Sequence, residues 1–260
     1  MNRFGYAVSR AWPWVIVGGI TVIVMVFVML PAAWITPQFA LRSGGRIALA
    51  DPEGSLWHGS ATLRLAAGQD SAEPTELPGR LEWTTSFLPL FTGRVHMTLN
   101  QTAAMPAPIE MLATLHDATL SAGSIDVPAS LLDGLGAPFN TLALGGVVRL
   151  DWSEWRVFGN RAFGHLTVTL TDVASRISRV RPLGSYRVTY DAQGDNADMA
   201  LTTLKGPLLL NGQGSARDQR FVFNGTAKAD PAYAENLRSL LDLLGRRTSE
   251  DGSYALIFNR

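Results

Sequence analysis

The feature that most constrains the fold of this 260-residue chain is an uncharged apolar run near its N-terminus. No charged residue lies between Arg10 and Arg42, and residues 14–30 read WVIVGGITVIVMVFVML. An α-helix rises about 1.5 Å per residue, so a run of this length can cross a hydrocarbon core of about 30 Å. We therefore predict a transmembrane helix over residues 14–35, preceded by a short tail of residues 1–13.

The flanks of this run indicate its orientation. Arg3 and Arg10 precede it, and Trp14 and Trp34 lie at its two ends, where indole rings favour the membrane interface. The positive-inside rule then places the tail in the cytoplasm and residues 36–260 in the periplasm.

A cleaved signal peptide is the alternative interpretation of the same run. The apolar region of a signal peptide usually has about 7–15 residues and ends at a small-x-small cleavage site. The run here is longer, and Pro31 occupies a position where that site needs a small residue. We therefore expect the helix to be retained as an anchor.

From Gly44 onward the sequence alternates between apolar and polar residues and is interrupted by Gly and Pro, which is typical of half-buried strands joined by tight turns. We predict a mainly β fold, either a curved antiparallel β-sheet or a two-layer β domain, with one or two covering helices. The clearest predicted strands are Ala61–Ala67, Gly93–Asn100, Gly164–Thr171, Ser185–Asp191, Phe221–Lys228 and Gly252–Phe258.

Two segments predict helices, a short one over residues 128–135 and a stronger one over residues 230–244. In the second, Asp230 can cap the first turn, Pro231 suits the first helical position and Gly245 ends the pattern. Its apolar face predicts a lid that packs permanently on the sheet, and the residues of that face are Leu237, Leu240, Leu241 and Leu244.

Composition and motifs argue against several kinds of chemistry. The chain has no Cys, and its 22 Lys and Arg balance its 22 Asp and Glu, so neither a thiolate site nor a nucleic-acid partner is expected. Its four His residues are far apart, and no nucleotide-binding or hydrolase motif occurs. We expect neither catalytic residues nor a cofactor or metal, and we expect the protein not to be an enzyme.

One motif is more specific. Residues 54–61 read GSLWHGSA, and later landmarks follow in order, namely LEW at 81–83, LDW at 150–152, GPLLLNGQG at 206–214 and DGSYALIF at 251–258. This arrangement resembles the protein N family of the type II secretion system. The resemblance implies an accessory component of a Gram-negative inner membrane, with no reaction of its own. It implies proteins C, L and M of that system as candidate partners, besides membrane lipid.

The motif itself predicts a structural turn. Gly54 and Gly59 permit backbone conformations that other residues disfavour, Trp57 supplies a large apolar anchor, and Ala61 is small. A contact site for a partner is the alternative interpretation of these four residues.

A second function remains open beside assembly of the secretion machine. A long curved sheet with a thin helical cover could present an apolar groove to acyl chains, and the predicted architecture is similar in outline to AsmA-type envelope proteins. The alternative function is therefore binding or shuttling of envelope lipid. A hydrolase is disfavoured because the sequence lacks the required residue constellations.

Overall fold

The structure is a computed structural model that describes Gly19, Met25 and residues 29–34, 36–45, 47–66, 75–135, 139–217, 220–248 and 252–259. Most of the predicted membrane helix lies outside these residues. Ala32–Trp34 forms a 3-10 helix and Pro31 forms an isolated bridge with Ser55, so the α-helix predicted to reach residue 35 does not continue through residues 31–34. Within the described ranges, no helix is both long and apolar enough to span a bilayer.

The described residues form one sheet of 17 strands. In chain order these are β1 Ile47–Gly54, β2 His58–Leu65, β3 Thr75–Glu76, β4 Leu81–Ser86, β5 Val95–Asn100, β6 Ile109–Ala113, β7 Asp117–Leu120, β8 Gly123–Pro128, β9 Leu144–Trp152, β10 Trp155–Phe158, β11 Arg161–Ser175, β12 Gly184–Gly194, β13 Asn196–Lys205, β14 Leu208–Arg217, β15 Arg220–Ala229, β16 Arg246–Arg247 and β17 Tyr254–Asn259.

Short helices interrupt this order. The α-helices are α1 Thr36–Arg42, α2 Phe139–Leu142 and α3 Ala234–Leu244, and the remaining 3-10 helices are Leu88–Thr92, Ala129–Leu135 and Pro231–Tyr233. The predicted helix over residues 128–135 is therefore a 3-10 helix, and the predicted helix over residues 230–244 begins with a 3-10 turn before α3. The mainly β prediction is confirmed.

The strands form an antiparallel meander in which most strands pair with neighbours in sequence, while the pairs β2–β4, β7–β10, β9–β11 and β15–β17 skip intervening strands. Two long strands are each divided into two segments, one into β7 and β8 and the other into β9 and β10. β7 and β8 together face β9 and β10, since Leu120 pairs with Trp155 and Gly123 with Trp152. The sheet therefore has a hairpin end, which carries the connections 55–57, 87–94, 114–116 and 159–160, and a helix end, which carries α2 and α3.

Alternation along the strands places one set of side chains in a single core. In β15, for example, Phe223, Ala227 and Ala229 are buried, while the residues between Phe223 and Ala227 include the exposed Asn224 and Thr226. The core joins side chains from β2 through β17 with α3, so the sheet curls around its own inner face. A second sheet layer is not present among the described residues.

Candidate functional site

A cavity of about 660 Å³ lies between α3 and the inner face of the sheet. Side chains from β9, β11, β12, β14 and β15 form most of its wall, among them Val148, Leu170, Tyr186, Leu208 and Phe223. Pockets that hold small ligands usually have volumes of about 300–1,000 Å³. The cavity is therefore large enough to hold part of an apolar ligand.

Tyr186 contributes the one polar side chain among the 19 residues that line this cavity. Its hydroxyl donates a hydrogen bond to the Leu208 carbonyl at 3.0 Å, and burial raises the pKa of the phenol. This donor is already used within the protein, so no side chain that lines the cavity has a free hydrogen-bond donor. A ligand held here would be recognised by apolar contact.

The helix α3 lies across the cavity, and the 3-10 turn Pro231–Tyr233 that leads into it is capped by Asp230, as the sequence predicts. The Asp230 carboxylate accepts a hydrogen bond from the Ala232 N–H at 2.9 Å. The Tyr254 hydroxyl donates to the Asp242 carboxylate at 2.8 Å and so links α3 to β17. This carboxylate raises the pKa of Tyr254.

The predicted lid residues divide into two groups. Leu237, Leu240 and Leu241 are buried, with Leu237 fully inaccessible, whereas Leu244 is partly exposed. Leu240 and Leu244 line the cavity together with Leu243, which the amphipathic pattern did not select and which is half exposed. The helix therefore packs on the sheet along one stripe and borders the cavity along the next.

The motif at residues 54–61 forms the turn between β1 and β2. Gly54 has a φ of +80°, and a Cβ atom there would lie 2.4 Å from the His58 carbonyl oxygen. A Cβ atom at Gly59 would lie 2.5 Å from the Trp83 ring. Ala61 is fully buried. Close packing accounts for the small size of all three residues.

Trp57 is buried in this turn, with 7% of its surface exposed, and its ring contacts Phe87 edge-on at 5.2 Å between centroids. The Thr85 N–H donates to the Trp57 carbonyl at 2.7 Å. The predicted motif residues are thus brought together, far along the sheet from the cavity, in a packed arrangement. Whether they also contact a partner stays a prediction.

One polar cluster was not anticipated from the sequence. On the outer face of the sheet, His165 Nδ1 lies 2.5 Å from the Asp191 carboxylate and His165 Nε2 lies 3.0 Å from the Thr167 hydroxyl. Catalytic triads have this connectivity. The His165 and Asp191 side chains are nearly half exposed, and none of the three residues lines the apolar cavity.

No group of three or more His, Asp or Glu side chains in the described part of the chain could hold a metal ion.

The fold defines an open antiparallel meander with an apolar cavity between α3 and the inner face of the sheet. A family model described as type II secretion system (T2SS), protein N, matches residues 45–256. The chain belongs to the type II secretion system protein N family, as its sequence motif predicted. Searches of curated proteins and of solved structures found no significant match. Membership associates the chain with protein transport, with the cell envelope and with other components of the secretion machinery.

Proposed function

We propose that this protein is an inner-membrane accessory component of the type II secretion system, contributing to the assembly or stability of the machine that exports folded proteins across the outer membrane. The predicted anchor at residues 14–35 would hold a periplasmic domain of residues 36–260 at the membrane. Its partners would be the single-pass protein C and, as further candidates, proteins L and M. The proposed role is interaction rather than catalysis.

An uncovered edge of the sheet is the observation that best supports this role. β17 pairs with β15 along its length, and among the described residues its other side pairs only with Arg246–Arg247, through Tyr254 and Ala255. The strand carries no charged residue, and Ile257 is 61% exposed. An edge of this kind can accept a strand from a partner.

The opposite edge of the sheet is unsuited to such pairing. β1 has a bulge between Ala50 and Glu53, and the bulge contains Pro52, which has no N–H to donate. Asp51 in the bulge has a φ of +47° and forms an ion pair with Arg64 at 3.5 Å. Bulges, prolines and charges protect edge strands from pairing, so we place the partner strand on β17.

Affinity isolation of the full chain from detergent-solubilised membranes would test this role. Proteins C, L or M should be recovered with the wild type, and recovery should fall in an Ile257→Lys variant because a charge disfavours strand addition. Val222→Lys is the matched control, since Val222 is 41% exposed, shares the outer face and lies on β15, away from the edge. Failure to recover any secretion component with the wild type would contradict the proposal.

Lipid binding is the second candidate function, and the apolar cavity under α3 supports it. The cavity could hold acyl chains while a headgroup remains outside near the half-exposed Leu243. Mass spectrometry of the full chain, released gently from detergent, would detect such a ligand. Stoichiometric phospholipid in the wild type, lost in a folded Leu243→Glu variant and retained in Leu209→Glu, would favour this function. Leu209 is 37% exposed and does not line the cavity.

A further inference from the structure

The three most exposed large hydrophobic side chains among the described residues all lie at the hairpin end of the sheet. Leu115 is 90% exposed, Leu88 78% and Phe91 77%. Leu88 and Phe91 belong to the connection between β4 and β5, and Leu115 to the connection between β6 and β7. The two connections are neighbours because β5 pairs with β6. Clustered exposed apolar side chains usually mark an interaction surface.

Ring packing and a backbone hydrogen bond fix the connection that carries Leu88 and Phe91. The Phe87 ring contacts both Trp57, at 5.2 Å, and Phe91, at 5.3 Å between centroids. Gly93 ends the short helix with a φ of +69°, and its N–H donates to the Leu90 carbonyl at 2.9 Å. Phe87 therefore connects the exposed ring of Phe91 to the buried Trp57 of the family motif.

The chain also enters the sheet domain at this end. The Leu56 N–H donates to the Leu30 carbonyl at 3.0 Å, and Pro31 bridges to Ser55. Leu30 is the last residue of the apolar run that predicts the membrane anchor. Trp34, which follows shortly after, is 67% exposed, and such indoles favour the membrane interface. The end that carries Leu88, Phe91 and Leu115 is thus the end nearest the predicted membrane crossing.

We propose that Leu88, Phe91 and Leu115 insert into the periplasmic leaflet of the bilayer that holds residues 14–30. The hairpin end would then rest on the membrane, and the helix end with its cavity would point away from it. Apolar groups of this kind bury about 5–10 Å into the boundary between headgroups and acyl chains. Arg94 is exposed in the same connection as Phe91, and its positive charge can pair with lipid phosphates. The inference rests on the proposed inner-membrane placement.

Because the chain has no Cys, single cysteines can carry a fluorophore at chosen positions. Phe91→Cys and Leu115→Cys would be labelled with a polarity-sensitive dye in the full chain, reconstituted in vesicles of phosphatidylethanolamine and phosphatidylglycerol. Ile177→Cys is the matched control, since Ile177 is 52% exposed on the connection after β11 at the helix end. We expect a blue shift, and quenching by phospholipids spin-labelled near the headgroup, at positions 91 and 115 but not at 177.

A fourth label, at Ile23 near the middle of the predicted anchor, is tested with phospholipids spin-labelled deep in the acyl chains and separates two kinds of failure. Quenching at position 23 without quenching at 91 and 115 would overturn the surface contact and leave the anchor standing. Absence of quenching at position 23 would overturn both. A blue shift at 91 and 115 without lipid quenching would show contact with another protein copy instead, and would also overturn the inference.

Discussion

Trp57 is the residue of the family motif that packs into the interior of the domain. It is 7% exposed, so Trp57→Ala should lower the free energy of unfolding by about 3–5 kcal/mol. Trp34→Ala is the matched control, because Trp34 is 67% exposed and its loss should change stability by about 0.5 kcal/mol or less. Denaturation of the full chain in detergent measures both. A stable Trp57→Ala variant that no longer recovers its partners would make the motif a contact site.

A smaller change in the motif should also lower the stability of the domain. A methyl group at Gly59 would lie 2.5 Å from the Trp83 ring and 2.7 Å from the Ser55 carbonyl oxygen, so Gly59→Ala should lower the melting temperature. Gly145→Ala is the control, because no atom lies within 4 Å of the position its Cβ would take. Equal melting temperatures for the two variants would show that the turn can relax around the added group.

Tyr186 should make the stability of the domain depend on alkaline pH. Burial raises the pKa of its phenol above the value of about 10 found in unfolded chains, so the folded state holds the proton more tightly. Its contribution is complete below about pH 10 and is lost as the pH rises further. Urea midpoints measured between about pH 8 and 11 should fall for the wild type and fall less steeply for Tyr186→Phe. Identical slopes would contradict this assignment.

At the scale of elements, α3 is predicted to be a structural lid. Leu237 is fully buried and does not line the cavity, so Leu237→Ala should cost about 2–5 kcal/mol of unfolding free energy. Leu243→Ala should cost much less, because Leu243 is half exposed. Chemical denaturation compares the two variants. If Leu237→Ala were as stable as Leu243→Ala, the helix would not be a permanent part of the fold.

Sequence periodicity located the six clearest of the 17 described strands and the lid helix, but not the residues that form the cavity. Alternation shows that Val148, Leu170 and Tyr186 each point inward on their own strand. Their meeting depends on register, since Leu170 pairs with both Val148 and Tyr186. The same holds for His165 and Asp191, which are 26 residues apart and become neighbours only through pairing. Strand pairing over long sequence distances cannot be read from a local pattern, so the strand residues that line the cavity and the polar cluster were not predicted, although an apolar groove under the helix was considered.

At the scale of the whole molecule, the predicted topology has a direct test. Alkaline phosphatase fused after Arg260 should be active, because the positive-inside rule places the C-terminal side of the anchor in the periplasm. The same enzyme fused after Pro13 should be inactive, since that position lies in the predicted cytoplasmic tail. Activity of the second fusion, or inactivity of the first alongside a working cytoplasmic reporter, would reverse the orientation.

The meander has a consequence for how the domain is made. Each of its long strands pairs with strands that are adjacent in sequence or separated by one short strand, so the sheet can grow largely one hairpin at a time as the chain is synthesised, beginning with β1 and β2. Such local pairing shortens the loops that must close before contacts form, which favours fast folding for an all-β chain. The inner face is covered only when α3 and β17, the last elements to emerge, have folded. Until they arrive, the apolar inner face stays uncovered, and a chaperone would bind the nascent domain there.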